Sequence, residues 1–440
     1  MRVRIDAKIL AFLICSIWIF GCSQKPYRDV LKLDQKVITI DKGASRLGPC
    51  EPSICINPEN PNEVFAGAVL NHAYRSLDGG KTWEKNKLKS SYGVYGDPVV
   101  KVTKGGRVLY CHLADPKNNP YRSKEFLDRI VVQSSSDHGR SWTDGAFPPC
   151  NHEKDQDKPW LYCSPNDSNL VLMAWTEFDK YGSSDKNDKS RILFSQSQDG
   201  GLSWSEGKVI STYEGDCLDG DRTTEGAPPV VGVDGTYYVV WAYDDSLYLN
   251  MSKDKGVTWL EAERAVAPQK GGWAYEIPGI GRANGMPVIL CDHSQGPRNG
   301  YLYISWSDQS SGEDDTDVWM IASFDKGVTW TEKKRVNDDE KGHHQFFSWM
   351  DIDQSNGDLY WVFYDRRNHK DVSTDVFLAR SVDGGKTFSN YIISDAPFIP
   401  QSNVFFGDYN DISVHHGMVR PIWTRLDETI LSVQTSLIQF

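Results

Sequence analysis

The pattern S-x-D-x-G-x-(S/T)-W, with Phe replacing Trp in its last copy, occurs six times in this chain of 440 residues, and no other feature limits the fold as strongly. The copies are SLDGGKTW at 76–83, SSDHGRSW at 135–142, SQDGGLSW at 197–204, SKDKGVTW at 252–259, SFDKGVTW at 323–330 and SVDGGKTF at 381–388. Their aspartates are 59, 62, 55, 71 and 58 residues apart. Near-constant spacing indicates one structural unit that is repeated along the chain.

Each copy has the composition of a β-hairpin turn. The Asp carboxylate can accept backbone N–H groups of the turn, and Gly supplies a positive φ. The final aromatic residue begins the next strand and can fill the gap between neighbouring sheets. We therefore interpret the six aspartates as structural, one per turn, on a ring at the edge of the fold. The aspartates are Asp78, Asp137, Asp199, Asp254, Asp325 and Asp383.

Between the turns, each repeat offers three further strands. The first opens with an acidic residue or Pro, the second carries an aromatic residue, and the third leads into the next turn, as in DKPWLYC at 157–163, LMAWTE at 172–177 and RILFSQSQD at 191–199. Four strands per repeat predict an all-β propeller. Seven first strands favour seven blades over the alternative of six, and we expect residues 36–41 to close the ring by pairing with the last strand at 429–438.

The N-terminus has the pattern of a signal peptide. Arg2, Arg4 and Lys8 precede the apolar run 9–20, which is short for a membrane span. IFGC at 19–22 resembles a bacterial lipobox, so we predict lipidation of Cys22, with ordinary signal cleavage as the alternative. The expected organisation is a signal at 1–21, a polar tether at 22–34 and the propeller at 35–440. The protein is expected to be exported, as a periplasmic or outer-membrane lipoprotein.

Charge and cysteine content restrict the partners. A net charge of −12 argues against nucleic acid and against any membrane contact other than a lipid anchor. The seven cysteines after Cys22 are odd in number and have no CxxC spacing, which excludes a disulfide framework or zinc site. We expect a monomer.

The six turns resemble the Asp-box (BNR) repeats of the sialidase-like superfamily over about residues 45–440. This resemblance implies an active site on the side opposite the boxes, and a glycan as partner. Family sialidases hold a sugar carboxylate with three arginines, and use a Tyr–Glu pair as nucleophile and an Asp as acid/base. Their first arginine lies in a Tyr/Phe-Arg-Ile-Pro motif, whereas Tyr275-Glu276-Ile277-Pro278 here has Glu in that place. The resemblance therefore extends to the superfamily and not clearly to its catalytic sialidases.

Acidic residues recur where the first strands begin, at the predicted mouth of the central channel. They could supply acid/base chemistry or hold a structural cation such as calcium, with no cofactor required. The alternative is that Asp-Pro and Glu-Pro pairs only mark strand starts. The predicted catalytic residues are Asp97, Asp157, Glu225, Asp408 and, as the tyrosine implied by the resemblance, Tyr409.

Basic residues in loops on the same side could bind the carboxylate of an acidic sugar. The alternatives are ion pairs within loops and solvent-exposed histidine. The predicted substrate-binding residues are Arg46, Arg222, Arg366, Arg367 and His344. The resulting hypothesis is a sialidase-like glycoside hydrolase, or a lyase, that acts at an acidic sugar; the alternative is a non-catalytic propeller that binds glycan or protein.

Overall fold

The computed structural model describes residues 31–44, 48–117 and 125–440, of which Leu31–Phe440 belong to one compact unit. Its described residues form β-strands, turns and loops without a helix, arranged as a seven-bladed propeller. Within this described part, no helix is long and apolar enough to cross a bilayer. The all-β prediction and the count of seven blades are confirmed.

The first four blades follow one another along the chain. Blade 1 consists of Ser53–Ile56, Val64–Ala68, His72–Ser76 and Glu84–Lys87. Blade 2 consists of Val99–Val102, Val108–Leu113 and Ile130–Ser135, with a single bridge from Val132 to Ala146 at its outer edge. Blade 3 consists of Asp155–Cys163, Val171–Phe178, Ser190–Ser197 and Lys208–Val209. Blade 4 consists of Pro229–Val231, Tyr237–Tyr243, Ser246–Ser252 and Arg264–Pro268.

The last three blades contain both ends of the described chain. Blade 5 follows a small hairpin, Ala274–Tyr275 and Ala283–Asn284, and consists of Val288–Cys291, Leu302–Gly312, Asp315–Ser323 and Lys334–Arg335. Blade 6 consists of Gln345–Asp353, Asp358–Asp365, Asp375–Ser381 and Ser389–Ile392, and Leu31–Lys32 pair with its outer strand. Blade 7 consists of Asp411–His415, Met418–Asp427, Ile430–Gln439 and Lys36–Gly43.

The ring is closed by strands from the two ends of the chain, as predicted. Lys36–Gly43 runs antiparallel to Ile430–Gln439, with Lys36 opposite Leu437 and Gly43 opposite Leu431. The predicted tether residues Leu31–Lys32 also form a strand, which pairs with Tyr391 and Ile392 in the neighbouring blade. Pairing with chain-terminal strands covers backbone groups that would otherwise be exposed at a sheet edge.

Large aromatic side chains fill the space between blades. The second strands of blades 3 to 7 each contribute one fully buried tryptophan, and those of blades 1 and 2 contribute Phe65 and Tyr110. The tryptophans are Trp175, Trp241, Trp306, Trp361 and Trp423. Because each ring buries a large apolar area, these residues hold neighbouring sheets together.

The Asp-box turns have the hydrogen bonds that the sequence predicts. At Asp199, Oδ1 accepts the backbone N–H groups of Leu202 and Ser203 at 3.0 and 2.9 Å, and Oδ2 accepts the Ser203 hydroxyl. Although partial burial opposes ionisation, these donors hold the pKa of Asp199 below its usual value. All six turns follow the third strand of a blade, so they lie on one side of the propeller, which we call the box side. The opposite side, where the first strands begin, is the mouth side.

Candidate active site

Three residues at the mouth are in the left-handed region immediately before a proline, two of them just ahead of the first strands of blades 1 and 2 and the third at a bulge within the first strand of blade 3. These residues are Glu51, Asp97 and Lys158, with φ values of 50°, 47° and 50°. L-residues rarely adopt this conformation, and it is commonest where the surrounding structure fixes a functional geometry. The repeated backbone directs three ionisable side chains to the channel mouth, one each from blades 1, 2 and 3.

A cavity of about 160 Å³ opens at this mouth. Its polar lining is dominated by ionisable side chains, and Phe126, Leu127 and Phe405 contribute apolar wall. The ionisable residues are Glu51, Tyr95, Asp97, Asp157, Lys158, Tyr181 and Arg282. Three carboxyls, two cations and two phenols therefore line one small volume.

Arg282 and Lys158 hold the carboxylates of this cluster in place. Arg282 Nε donates to Asp408 Oδ1 at 2.8 Å and its Nη2 donates to Oδ2, while Nη1 donates to Asp219 Oδ2 at 2.5 Å. Lys158 Nζ lies 3.3 Å from Asp408 and 3.8 Å from Asp157. Bidentate pairing of this kind fixes orientation as well as charge.

The same network divides the carboxyls into ionised and protonated members. Burial opposes ionisation of Asp408, but Arg282 and Lys158 outweigh it and lower its pKa to about 2. Burial and the neighbouring Asp157 instead raise the pKa of Asp97 to about 8. Burial also raises the pKa of Asp157. At neutral pH, Asp97 therefore retains a proton beside an ionised Asp408.

Glu51 and Glu225 extend the cluster inward. Both are fully buried, and burial raises the pKa of each well above its usual value. The charges of Asp97 and Asp408 add to the effect at Glu51, and the charge of Asp219 adds to it at Glu225. Glu51 lines the cavity whereas Glu225 does not, and burial favours the protonated form of both carboxyls.

Three aromatic rings lie across the channel beneath the cluster. The rings of Trp160 and Trp349 are 4.3 Å apart between centroids, and that of Tyr409 is 5.2 Å from Trp160. The Tyr409 hydroxyl donates to the carbonyl of Pro98 at 3.2 Å. The structure thus places Tyr409 in a buried aromatic layer beside Asp408, with its hydroxyl turned to the backbone.

A second cavity, of about 410 Å³, lies on the box side of this layer. It is lined by Lys101, Asp351, Cys55 and Cys163 together with Trp160 and Trp349. Burial raises the pKa of Asp351 to about 7, although Lys101 opposes the change. The seven cysteines of the described chain are free thiols.

The predicted basic residues are not brought to this cluster. Arg367 pairs with Asp365 and Asp338 at 2.7 and 2.5 Å. Arg366 stacks on Phe346 and donates to Thr374 Oγ1 at 3.1 Å, and burial lowers its pKa to about 10. Both arginines therefore serve contacts within blade 6, as the alternative of local pairing anticipated for Arg367.

His344 and Arg222 also lie apart from the carboxyl cluster. His344 is buried against Thr316, with its Nδ1 at 3.1 Å from the hydroxyl, and burial together with Arg366 lowers its pKa to about 4. Arg222 is exposed beside Tyr243. Neither forms an ion pair with a described residue of the mouth. Arg46 and Cys22 lie outside the described residues.

Four residues of the site were not among the predicted site residues. Lys158 and Arg282 supply its cations, and Asp219 accepts both Arg282 and the Tyr181 hydroxyl, the latter at 2.8 Å. Lys158 occupies in blade 3 the position that Asp97 occupies in blade 2, and the Lys-Pro pair at 158–159 is the sequence signal for it. Among the described ranges, no group of three His, Cys, Asp or Glu side chains is arranged to hold a metal ion.

Comparison with known proteins agrees with the repeat and the fold. A family model described as "BNR/Asp-box repeat" matches residues 74–85. No curated protein sequence matches the chain. The NanB sialidase from Streptococcus pneumoniae has a similar structure, with 10% identity, 86% of this chain and 83% of that chain covered, and a TM-score of 0.50.

Two further solved structures are similar to this chain at slightly lower TM-scores. An α-L-arabinanase from Penicillium chrysogenum is 15% identical, with 82% of this chain and 98% of that chain covered and a TM-score of 0.48. A protein of unknown function from Dyadobacter fermentans is 13% identical, with 92% and 99% covered and a TM-score of 0.49. The resemblance to the sialidase-like superfamily is confirmed for the Asp-box repeat and the propeller, and at these identities it concerns the fold.

Proposed function

We propose that this protein is a glycoside hydrolase that removes a terminal sugar at the mouth of its channel. The observation that carries the proposal is the protonated Asp97 beside Asp157 on the wall of one cavity. Glycoside hydrolysis uses one carboxylic acid to protonate the leaving oxygen and a second carboxylate on the other side of the sugar. We assign the first role to Asp97 and the second to Asp157.

The cavity size favours an enzyme that acts on a chain end. A volume of about 160 Å³ has room for one sugar ring. A terminal residue can enter such a cavity, whereas an internal residue would need an open groove. Solvent exclusion by the apolar wall strengthens the electrostatic interactions inside.

We propose an acidic sugar as the substrate class. Arg282 and Lys158 are the cations on the described cavity wall, so the sugar carboxylate would bind beside them. Both are already paired with Asp408, Asp219 or Asp157, and a substrate acid must share them. The Tyr181 hydroxyl, which donates to Asp219, lies on the same wall and can contact the bound sugar.

The experiment is hydrolysis of terminal sialosides, uronides and neutral glycosides by the wild type and by Asp97→Asn and Asp157→Asn. Each substitution is expected to lower turnover by at least about 100-fold, the usual scale for an acid/base group. Asp351→Asn is the matched control, since it removes a half-buried channel carboxyl on the other side of the aromatic layer. Wild-type binding without turnover of any glycoside would instead support a non-catalytic glycan-binding propeller. Wild-type turnover in both Asn variants would refute the assignment.

We also propose that the protein is exported and anchored through a lipid on Cys22. The support is the sequence pattern at 2–22, together with the short stretch that separates Cys22 from the first paired residue, Leu31. The anchored protein would act on glycans outside the cytoplasm.

A further inference from the structure

The variable positions of the Asp boxes, which we call the box tips, carry exposed apolar side chains. Eleven large hydrophobic side chains of the described chain are exposed, and six of them are box tips. Their exposed fractions reach 65% at Val257, 64% at Val328 and 56% at Phe324. The other three are Leu77, Leu202 and Val382. Val233, in a hairpin turn on the same side, is also exposed, so this side of the propeller has an unusual share of apolar surface.

The remaining box tips are basic or uncharged. Six are Lys or Arg, and none is Asp or Glu. The aspartate at the third position of each box directs its carboxylate to donors within its own turn, as Asp199 does. The basic tips are Lys81, Arg140, Lys253, Lys255, Lys326 and Lys386.

Acidic residues are present on this side but not among the box tips. Glu59, Asp167 and Asp234 occupy the hairpins between first and second strands, and Asp234 is paired with Lys326 at 3.1 Å. Four exposed glutamates follow the boxes by one or two residues, namely Glu84, Glu206, Glu261 and Glu332. The tips themselves combine apolar side chains with long cationic ones. That combination is typical of surfaces that lie in the headgroup region of a bilayer.

The described chain also begins on the box side. Lys36 pairs with Leu437, and the Leu437 side chain adjoins Gly80 in the first Asp box. Thirty residues precede Leu31, including the apolar run 9–20 and Cys22. Eight residues lie between Cys22 and Leu31, and this stretch reaches at most about 30 Å when extended. A lipid on Cys22 would therefore keep the box side close to the membrane.

We propose that the box side rests on a lipid bilayer, with the apolar tips among the headgroups and the mouth directed away from the membrane. The apolar tips give up exposed surface, and the lysine tips contact anionic headgroups. The carboxyl cluster is on the opposite side, so repulsion from anionic lipid favours the same orientation. The tether length supports this orientation only if Cys22 is lipidated as proposed. The composition of the tips supports it independently of the lipid.

The test uses the full chain with an environment-sensitive fluorescent amino acid at position 257 or, as the control, at position 399. Ile399 is equally suitable as an exposed apolar site, 55% exposed, but it lies in the loop that leads to the mouth. Each protein is mixed with vesicles of phosphatidylethanolamine and phosphatidylglycerol that carry brominated acyl chains. We expect a blue shift and severalfold quenching at 257, and neither at 399.

A second set of variants separates lipid contact from general attraction to vesicles. Phe324→Asp with Val328→Asp should remove most of the quenching at 257, while Ile399→Asp should leave it unchanged. Equal quenching at 257 and 399, or none at either, would overturn the proposal. So would a shift at 257 that needs no vesicles and grows with protein concentration, because it would identify the box side as an interface between copies. Loss of glycosidase activity does not enter this test, so the two proposals can fail separately.

Discussion

Arg282 and Asp408 are 126 residues apart in the chain and form a two-point ion pair at the channel mouth, with Nε at 2.8 Å from Oδ1. The pair joins the loop before blade 5 to the start of blade 7, and Lys158 from blade 3 contacts the same carboxylate at 3.3 Å. Three separate parts of the ring are therefore linked through one acidic side chain. This linkage explains why the pKa of Asp408 is lowered while that of Asp97 is raised.

Removing the guanidinium should be destabilising. Arg282→Met leaves the buried carboxylates of Asp408 and Asp219 with one cation fewer. Because the Arg282 side chain is 38% exposed, the cost should lie above the roughly 1 kcal/mol of a surface pair and below the about 3–5 kcal/mol of a fully buried one. The measurement is urea unfolding at neutral pH. Lys117→Ala, which removes an exposed ion pair with Glu125, should cost less than about 1 kcal/mol and serves as control. Similar values for the two variants would show that the mouth network is solvated.

Stability should fall as pH rises through the titration range of Asp97. The folded state raises the pKa of this carboxyl from 3.8 to about 8, so the folded protein keeps a proton that the unfolded chain releases. Between those values the native state binds more protons, and the free energy of unfolding therefore decreases with pH. Asp97→Asn should flatten this decrease in denaturant titrations between about pH 4 and 8. An unchanged slope would mean that Asp97 is not held neutral.

Catalysis should be lost over the upper end of the same range. If Asp97 is the proton donor, kcat/KM declines as pH rises through about 8, because the acid form disappears. The measurement is a pH profile of initial rates with an activated and an unactivated glycoside. Since an activated leaving group needs little protonation, its alkaline decline should be much weaker; equal declines would point to another titrating group.

The Asp boxes should contribute to stability and not to activity. Asp199→Ala leaves the N–H groups of Leu202 and Ser203 without their acceptor, at about 1–3 kcal/mol. Turnover per folded molecule should be unchanged. Gln198→Ala, one residue away and exposed, should alter stability by no more than about 0.5 kcal/mol. A loss of turnover in Asp199→Ala without a loss of stability would contradict the structural role.

Deletion of the strand that closes the ring should lower stability, whereas deletion of the residues before it should not. Deletion of residues 23–42 takes away the strand opposite Ile430–Gln439 and should lower the melting temperature markedly, whereas deletion of 23–30 leaves every described strand intact. An equal melting temperature for both deletions would mean that closure adds no stability.

Cys22→Ala should move the protein from the membrane fraction to the soluble fraction after cell fractionation. The lipid is removed while the box-side surface remains, so any residual binding to vesicles should depend on Phe324 and Val328. Membrane association that is unchanged in Cys22→Ala would rule out lipidation as the anchor.

The fold could be predicted because the turn residues mark the end of the third strand in six of the seven blades. The turn composition around Asp199 and the buried aromatic residue of each second strand recur at fixed places, and the unpaired strand at 36–41 has the only remaining partner at the end of the chain. Blade 2 departs from the pattern, because its outer edge is a single bridge at Ala146. Spacing alone does not show how long an outer strand will be.

The site was predicted only in part. Acidic residues at strand starts can be read from the sequence, whereas the ion pairs that charged side chains form in the fold cannot. Asp97 and Asp157 do line the cavity. A β-bulge between Asp157 and Trp160 puts Lys158 in the position equivalent to Asp97, and a pattern search cannot locate such a bulge. Arg367 forms ion pairs with Asp365, two residues away, and with Asp338 on a neighbouring segment, so its guanidinium is held away from the mouth cluster.

The pairing of Lys36 with Leu437 also fixes an order of events in the life of the chain. Lys36–Gly43 is translated long before its partner Ile430–Gln439, at about 5–20 residues per second, so it cannot pair until that strand has been made. Throughout synthesis the nascent polypeptide holds an incomplete ring whose first and last blades have no neighbour on one side. The ring stays open until residues 430–439 have been made. If the protein is exported as proposed, a channel that threads unfolded polypeptide would receive the chain before the ring closes.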